Sequence, residues 1–223
     1  MAHFDVSFNV KTCLIALLVT VPGLPEVGVT GLLKTIEDRY NRSATMQVSF
    51  EQSLGGQGRI TRTERGMLYL RRPGRMRWDY ESPQGKLLVV DGKNAFYYNP
   101  ATRKAEKSTV KESDDLRVPL AFLMGRLDFQ RDFKRFISRT EGDVTHVVAT
   151  PKSDKAPYTE VEFSVGSGAR IQHVKVVGQD KSVMGFRFTG EKLNPALGAD
   201  VFRFALPEGA ELVEAPQTGG GAR

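Results

Sequence analysis

From Met46 onward the chain alternates apolar and polar residues, and this period of two constrains its fold more than any other feature. Successive side chains on a strand point to opposite faces, so sustained alternation marks a strand with one face buried and the other in water. Met46, Val48 and Phe50 alternate with Gln47, Ser49 and Glu51, and Met76, Trp78 and Tyr80 alternate with Arg75, Arg77, Asp79 and Glu81. Leu68 and Leu70 share a phase with Arg72. Turn residues punctuate the pattern at Gly55-Gly56-Gln57-Gly58, Pro73-Gly74, Ser82-Pro83-Gln84-Gly85, Asp91-Gly92 and Asn99-Pro100, with Leu87–Val90 and Ala95–Tyr98 between them. Further strands are expected at Val144–Thr150, Thr159–Val165, Ile171–Val177, Met184–Thr189 and Val201–Phe204. Short connections make neighbours antiparallel, and about ten strands in one sheet must twist and curl. The expected fold is mainly β, an incomplete antiparallel β-barrel.

Two segments leave the pattern. Gly31–Asn41 carries Leu32, Leu33, Ile36 and Tyr40 at helical spacing, with Thr30 as the expected N-cap. Between Lys111 and Asp132, Asp114 and Asp115 precede Pro119, which suits a helix's first turn, and then the apolar Leu120, Phe122, Leu123 and Met124. Two short helices are too few to cover such a sheet. An apolar cavity under a helical lid follows, although a barrel filled by its own side chains fits the same pattern. Arg72 is also open to two readings, a donor gripping carbonyls of whatever covers that face or a rim residue snorkelling to water.

Residues 1–28 read as a secretory signal: Lys11 precedes the apolar run Cys13–Val21 and the break Pro22-Gly23-Leu24-Pro25, with cleavage expected between Val21 and Thr30. The run is shorter than the roughly 20 residues that span a bilayer. Cys13, the one cysteine, lies within it, outside any lipobox, so no disulfide or thiol chemistry is expected in the mature chain. Residues 29–214 are then expected to form one domain, and the Gly-rich 215–223 a disordered tail.

Net charge is +6, but basic and acidic residues interleave, as in Arg62-Thr63-Glu64-Arg65. That mixture favours a solvated surface over a nucleic-acid stripe, and no nucleic-acid-binding motif accompanies it. Arg71, Arg75 and Arg77, opposite in phase to Trp78, suit either solubility or docking onto acidic partner surfaces. His3 lies in the signal, while His146 and His173 sit alone on strands with no nucleophile elbow beside them. No metal-ligand cluster or phosphate loop is present, so neither an enzyme nor a cofactor is expected. Asn41-Arg42-Ser43 is a formal glycosylation sequon.

Phe50-Glu51-Gln52, the stretch Gly66–Gly74, Met76-Arg77-Trp78, Pro83, Val90-Asp91-Gly92, Tyr98-Asn99-Pro100 and Phe202–Gly209 together resemble the LolA family of periplasmic lipoprotein carriers, in order and spacing, from about Gly31 to Val213. The resemblance implies a monomeric half-barrel whose cavity takes lipoprotein acyl chains and carries them from inner to outer membrane, without a cofactor. Its implied partners are an inner-membrane ABC lipoprotein exporter and an outer-membrane acceptor. The family's functional arginine falls on Arg72, implying a latch onto the Val118–Leu127 lid when the cavity is empty. Cavity positions fall on or beside Leu68, Leu70, Met76, Trp78, Tyr80, Leu88 and Val90. At Met76 the family often has an aromatic residue linked to holding or releasing cargo. Family members that carry or sense other envelope lipids, phospholipid or glycolipid, supply the alternative function.

Overall fold

The computed structural model describes residues 28–56, 58–110 and 127–214. Helix α1 (Val29–Asn41) is followed by six strands, β1 (Thr45–Gly56), β2 (Arg59–Arg71), β3 (Arg75–Ser82), β4 (Leu87–Asp91), β5 (Asn94–Asn99) and β6 (Lys104–Thr109). After a short helix α2 (Phe129–Asp132) come β7 (Phe133–Glu141), β8 (Val144–Pro151), β9 (Tyr158–Gly166), β10 (Arg170–Gly178), β11 (Ser182–Leu193) and β12 (Glu211–Glu214). All twelve belong to one sheet, ordered β12-β6-β5-β4-β3-β2-β1-β11-β10-β9-β8-β7. Two meanders, β1–β6 and β7–β11, are welded through the long antiparallel pairing of β1 with β11. The terminal strands β12 and β7 do not pair with each other, so the curled sheet stays open.

Alternation selects the concave face. Across β1–β5 the register stacks Met46, Leu70, Met76, Val90 and Ala95 on one transverse rung. The next rung is Val48, Leu68, Trp78, Leu88 and Tyr97. In the other half Phe186, Val174, Phe163 and Val147 form one rung, and Met184, Val176, Val161 and Ala149 another. These side chains and the buried Leu33, Ile36 and Tyr40 of α1 make one continuous core. Gly66 lets β2 and β3 approach closely, since a Cβ there would lie 1.9 Å from the Asp79 carbonyl oxygen.

Several expectations are corrected. Among the described residues the sheet has twelve strands where about ten were expected, and β12 joins β6 in parallel, so the sheet is not wholly antiparallel. The strands missed, β6, β7 and β12, lie at or beside the sheet edges, where polar Lys104–Thr109 and the stretch Phe133–Glu141, exposed over most of its length beyond the buried Phe133, leave no apolar alternation to read. Val201–Phe204 is not a strand. Ala199–Phe202 forms a 3-10 turn that lays Phe202 and Phe204 on the convex face, where Phe204 stacks on Phe96 with centroids 4.7 Å apart. The N-cap of α1 is Gly28 rather than Thr30, with no side-chain cap bond. The signal (1–28), the lid residues Leu120, Phe122, Leu123 and Met124, and the tail (215–223) lie outside the described residues, apart from Gly28.

Candidate functional site

The amphipathic stripe of α1 lies on the concave face, where a polar group left unpaired is costly. Tyr40 Oη donates to Glu191 Oε2 at 2.6 Å and accepts the Ile171 backbone N–H at 3.0 Å, tying the helix to β10 and β11. Arg39 forms an ion pair with the same Glu191. Burial first, and then the Glu191 charge, push the Tyr40 pKa well up, so the phenol stays protonated and keeps donating. Tyr40→Phe is expected to cost about 1–3 kcal/mol in denaturant unfolding, because two buried partners lose their bonds while the ring still fits. A loss near zero would mean that water replaces the hydroxyl.

The C-terminal end of α1 is a hub. Asn41 clamps Leu127 reciprocally, its Nδ2 donating to the Leu127 carbonyl at 2.9 Å and its Oδ1 accepting the Leu127 N–H at 2.8 Å. Glu37 Oε1 accepts the Phe129 N–H at 2.8 Å. The sequon asparagine thus spends its side-chain amide on holding the chain just after the undescribed 111–126. From the opposite side Arg72, one residue past β2, donates from Nη1 to the Ser43 carbonyl at 2.9 Å, while its own N–H bonds the Ala44 carbonyl. A guanidinium suits this place, since carbonyls at a helix C-terminus carry partial negative charge. Burial lowers the Arg72 pKa and Tyr40 raises it in part, but an arginine remains ionised. Arg72 thus grips a carbonyl of the short connection between α1 and β1.

Leu68, Leu70, Met76, Trp78, Leu88 and Val90 are brought together on the concave face, all buried, and Tyr80 is half-buried beside them. Trp78 is the centre of an aromatic floor: Phe50 meets it edge-on at 4.6 Å between centroids, Phe186 lies at 5.4 Å and Tyr80 at 6.4 Å. The crevice beneath α1, lined by Tyr40, Met46, Val48, Ile171, Phe188 and Glu191, holds about 10 Å³, roughly room for one water.

Three polar residues that sequence reading missed face the same interior. Glu64 and Lys86, both almost fully buried, form an ion pair of 2.5 Å, with Arg62 Nε 3.1 Å from the other Glu64 oxygen. Lys86 Nζ also lies 4.2 Å from the Tyr80 ring centroid, and Gln52 accepts from the Tyr80 hydroxyl at 3.2 Å. Phase was the available signal: Glu64 is in step with Leu68 and Leu70, and Lys86 with Leu88 and Val90. The concave face is therefore apolar along its middle, with Arg72 at one end and this charged cluster at the other.

The convex face carries the remaining expectations. Arg77 shares its Nε–H between the two carboxylate oxygens of Asp79 and donates from Nη1 to the Val201 carbonyl at 3.2 Å, so it fastens the C-terminal segment to the sheet. His146 is not alone, because its Nδ1 is 3.0 Å from Ser164 Oγ, at a groove of about 410 Å³ that also reaches His173, Glu162 and Lys175. Ser164 sits mid-strand and buried rather than on a strand-to-helix elbow, which does not suit a nucleophile. Among the described residues no group of three or more His, Cys, Asp or Glu could hold a metal, and no helix is long and apolar enough to cross a membrane.

The model of the family described as "Outer membrane lipoprotein carrier protein LolA" matches residues 41–205. An outer-membrane lipoprotein carrier protein of Azotobacter vinelandii is 30% identical over 187 residues, covering 82% of this chain and 87% of its own length. The Nitrosomonas europaea protein of the same name is 26% identical over 203 residues, covering 90% and 97%. Among solved structures, an uncharacterized conserved protein from Thermus thermophilus superposes with a TM-score of 0.53 at 14% identity, covering 83% of this chain and 98% of that one, a likeness of fold.

Proposed function

Because this chain belongs to the LolA family, we propose that it is a periplasmic carrier that binds lipoprotein acyl chains on its concave face and moves them from the inner to the outer membrane. An inner-membrane ABC exporter loads it, an outer-membrane acceptor unloads it, and it works as a monomer without catalysis or cofactor. The observation that carries this reading is the apolar and aromatic concave face, on which a helix packs and is held through a few polar bonds near its C-terminal end.

The crevice beneath α1 holds only about 10 Å³, so an acyl chain lodged there displaces the helix. Lifting Leu33 and Ile36 costs about 1.5–3 kcal/mol each. About ten buried methylenes return about 8 kcal/mol at 0.8 each. The exchange favours loading while leaving closure as a competitor that drives release. Arg72 belongs to the closed state on this account, and Leu68, Leu70, Met76, Trp78, Tyr80, Leu88 and Val90 form the lipid-binding surface. The lid residues Leu120, Phe122, Leu123 and Met124 would complete the cover. Met76, soft and adaptable, fills the place where the family often has an aromatic ring.

Mass spectrometry of lipids and lipoproteins co-purified with the mature protein from its own envelope tests the proposal. Triacylated lipoproteins are expected. Phospholipid or glycolipid alone would keep the carrier and change its cargo, and no bound lipid at all would overturn the reading.

A further inference from the structure

The only tryptophan in the chain, Trp78, is 2% exposed, and its indole N–H is fully buried with no hydrogen-bond acceptor among the described residues. The neighbouring rings offer π faces, which are weak acceptors. Leaving a buried donor unpaired is unfavourable, and a phenylalanine would fill an apolar floor without that penalty. The donor also lies on the rung next to Tyr80, beside the charged end formed by Glu64 and Lys86.

Resting on the lipid-carrier reading, we propose that Trp78 Nε1 is the polar subsite of the cavity and donates to the carbonyl oxygen at the head of a bound acyl chain. An acyl carbonyl is a strong, uncharged acceptor with hydrocarbon on one side and the polar linkage on the other. A phosphate or free carboxylate would bring an unpaired charge onto an apolar floor, which is far more costly. The carbonyl at Trp78 leaves the headgroup toward Glu64 and Lys86, and the tail along Met46, Leu70, Met76 and Val90 toward Arg72. Trp78 thereby selects for acyl over alkyl chains, a discrimination that apolar contacts alone cannot make.

Native mass spectrometry of the mature protein, offered an equimolar mixture of dipalmitoylglycerol and its dihexadecyl ether analogue in detergent, reads this directly. The two lipids differ chiefly in the carbonyls. Wild type is expected to capture the ester about five- to tenfold over the ether, the effect of one neutral hydrogen bond. Trp78→Phe should capture both equally. Because that change also alters volume, the single tryptophan can instead be replaced biosynthetically by benzothienylalanine, in which sulfur stands for the N–H and the shape is kept. Equal capture by wild type, or an ester preference that survives both replacements, overturns the proposal while leaving lipid binding intact. Capture of neither lipid by any form overturns the carrier reading beneath it.

Discussion

Replacing Arg72 with leucine is expected to shift the empty protein about thirtyfold toward the open form and to slow cargo release accordingly. The guanidinium donates to the carbonyl of Ser43, a buried residue just past the C-terminal end of α1. A hydrogen bond from a charged donor is worth about 2 kcal/mol, and leucine leaves the carbonyl without that donor, so the loss falls on the closed state. The open, loaded form keeps its apolar contacts. A difference of about 2 kcal/mol between two states is about a thirtyfold change in their ratio. The measurement is transfer of a triacylated lipoprotein from the loaded protein to outer-membrane vesicles, with Arg72→Lys as a partial control that retains the charge but not the planar fork. Release at the wild-type rate would show that closure does not depend on this bond.

Lys86→Met should cost about 3 kcal/mol of stability. Breaking a buried pair by removing one partner leaves the other charge without its closest counter-ion, and Glu64 is 2% exposed. Arg62 still reaches one Glu64 oxygen, which keeps the loss at the low end for such pairs. The double change Glu64→Leu with Lys86→Met is expected to recover most of the loss, since two apolar side chains of similar size need no counter-charge. Denaturant unfolding of the two variants decides this. A double variant no more stable than Lys86→Met would mean that the pair holds the aromatic rings of Tyr80 and Tyr97 in place by more than charge.

Half-buried strands were legible in the sequence because one face of each is apolar and the other wet. β1, the later half of β2, β3 and β8 follow that rule, while β4 and β5 were legible as apolar runs between turns. The stripe of α1 and the turns at Pro73-Gly74 and Asp91-Gly92 were legible for equally local reasons. Edge strands were not, because β6, β7 and β12 are polar or exposed over most of their length and lack apolar alternation, and β12 is held by pairing to β6, a strand distant in sequence. The same limit hid Glu64 and Lys86: their phase pointed inward, but the ion pair that permits burial joins residues 22 apart.

By itself the sequence determined the period, hence the sheet, its curl and which face of each strand is greasy, since these depend on neighbours two or four residues away. Tertiary structure alone decided what closes that face. The acceptor for Arg72 is the Ser43 carbonyl at the end of α1, the helix is pinned by Glu191 from the far end of β11, and the Trp78 N–H is left without an acceptor among the described residues. Each of these depends on which groups curvature brings within 3 Å of one another, and that distance is a property of the folded sheet rather than of any local run of residues.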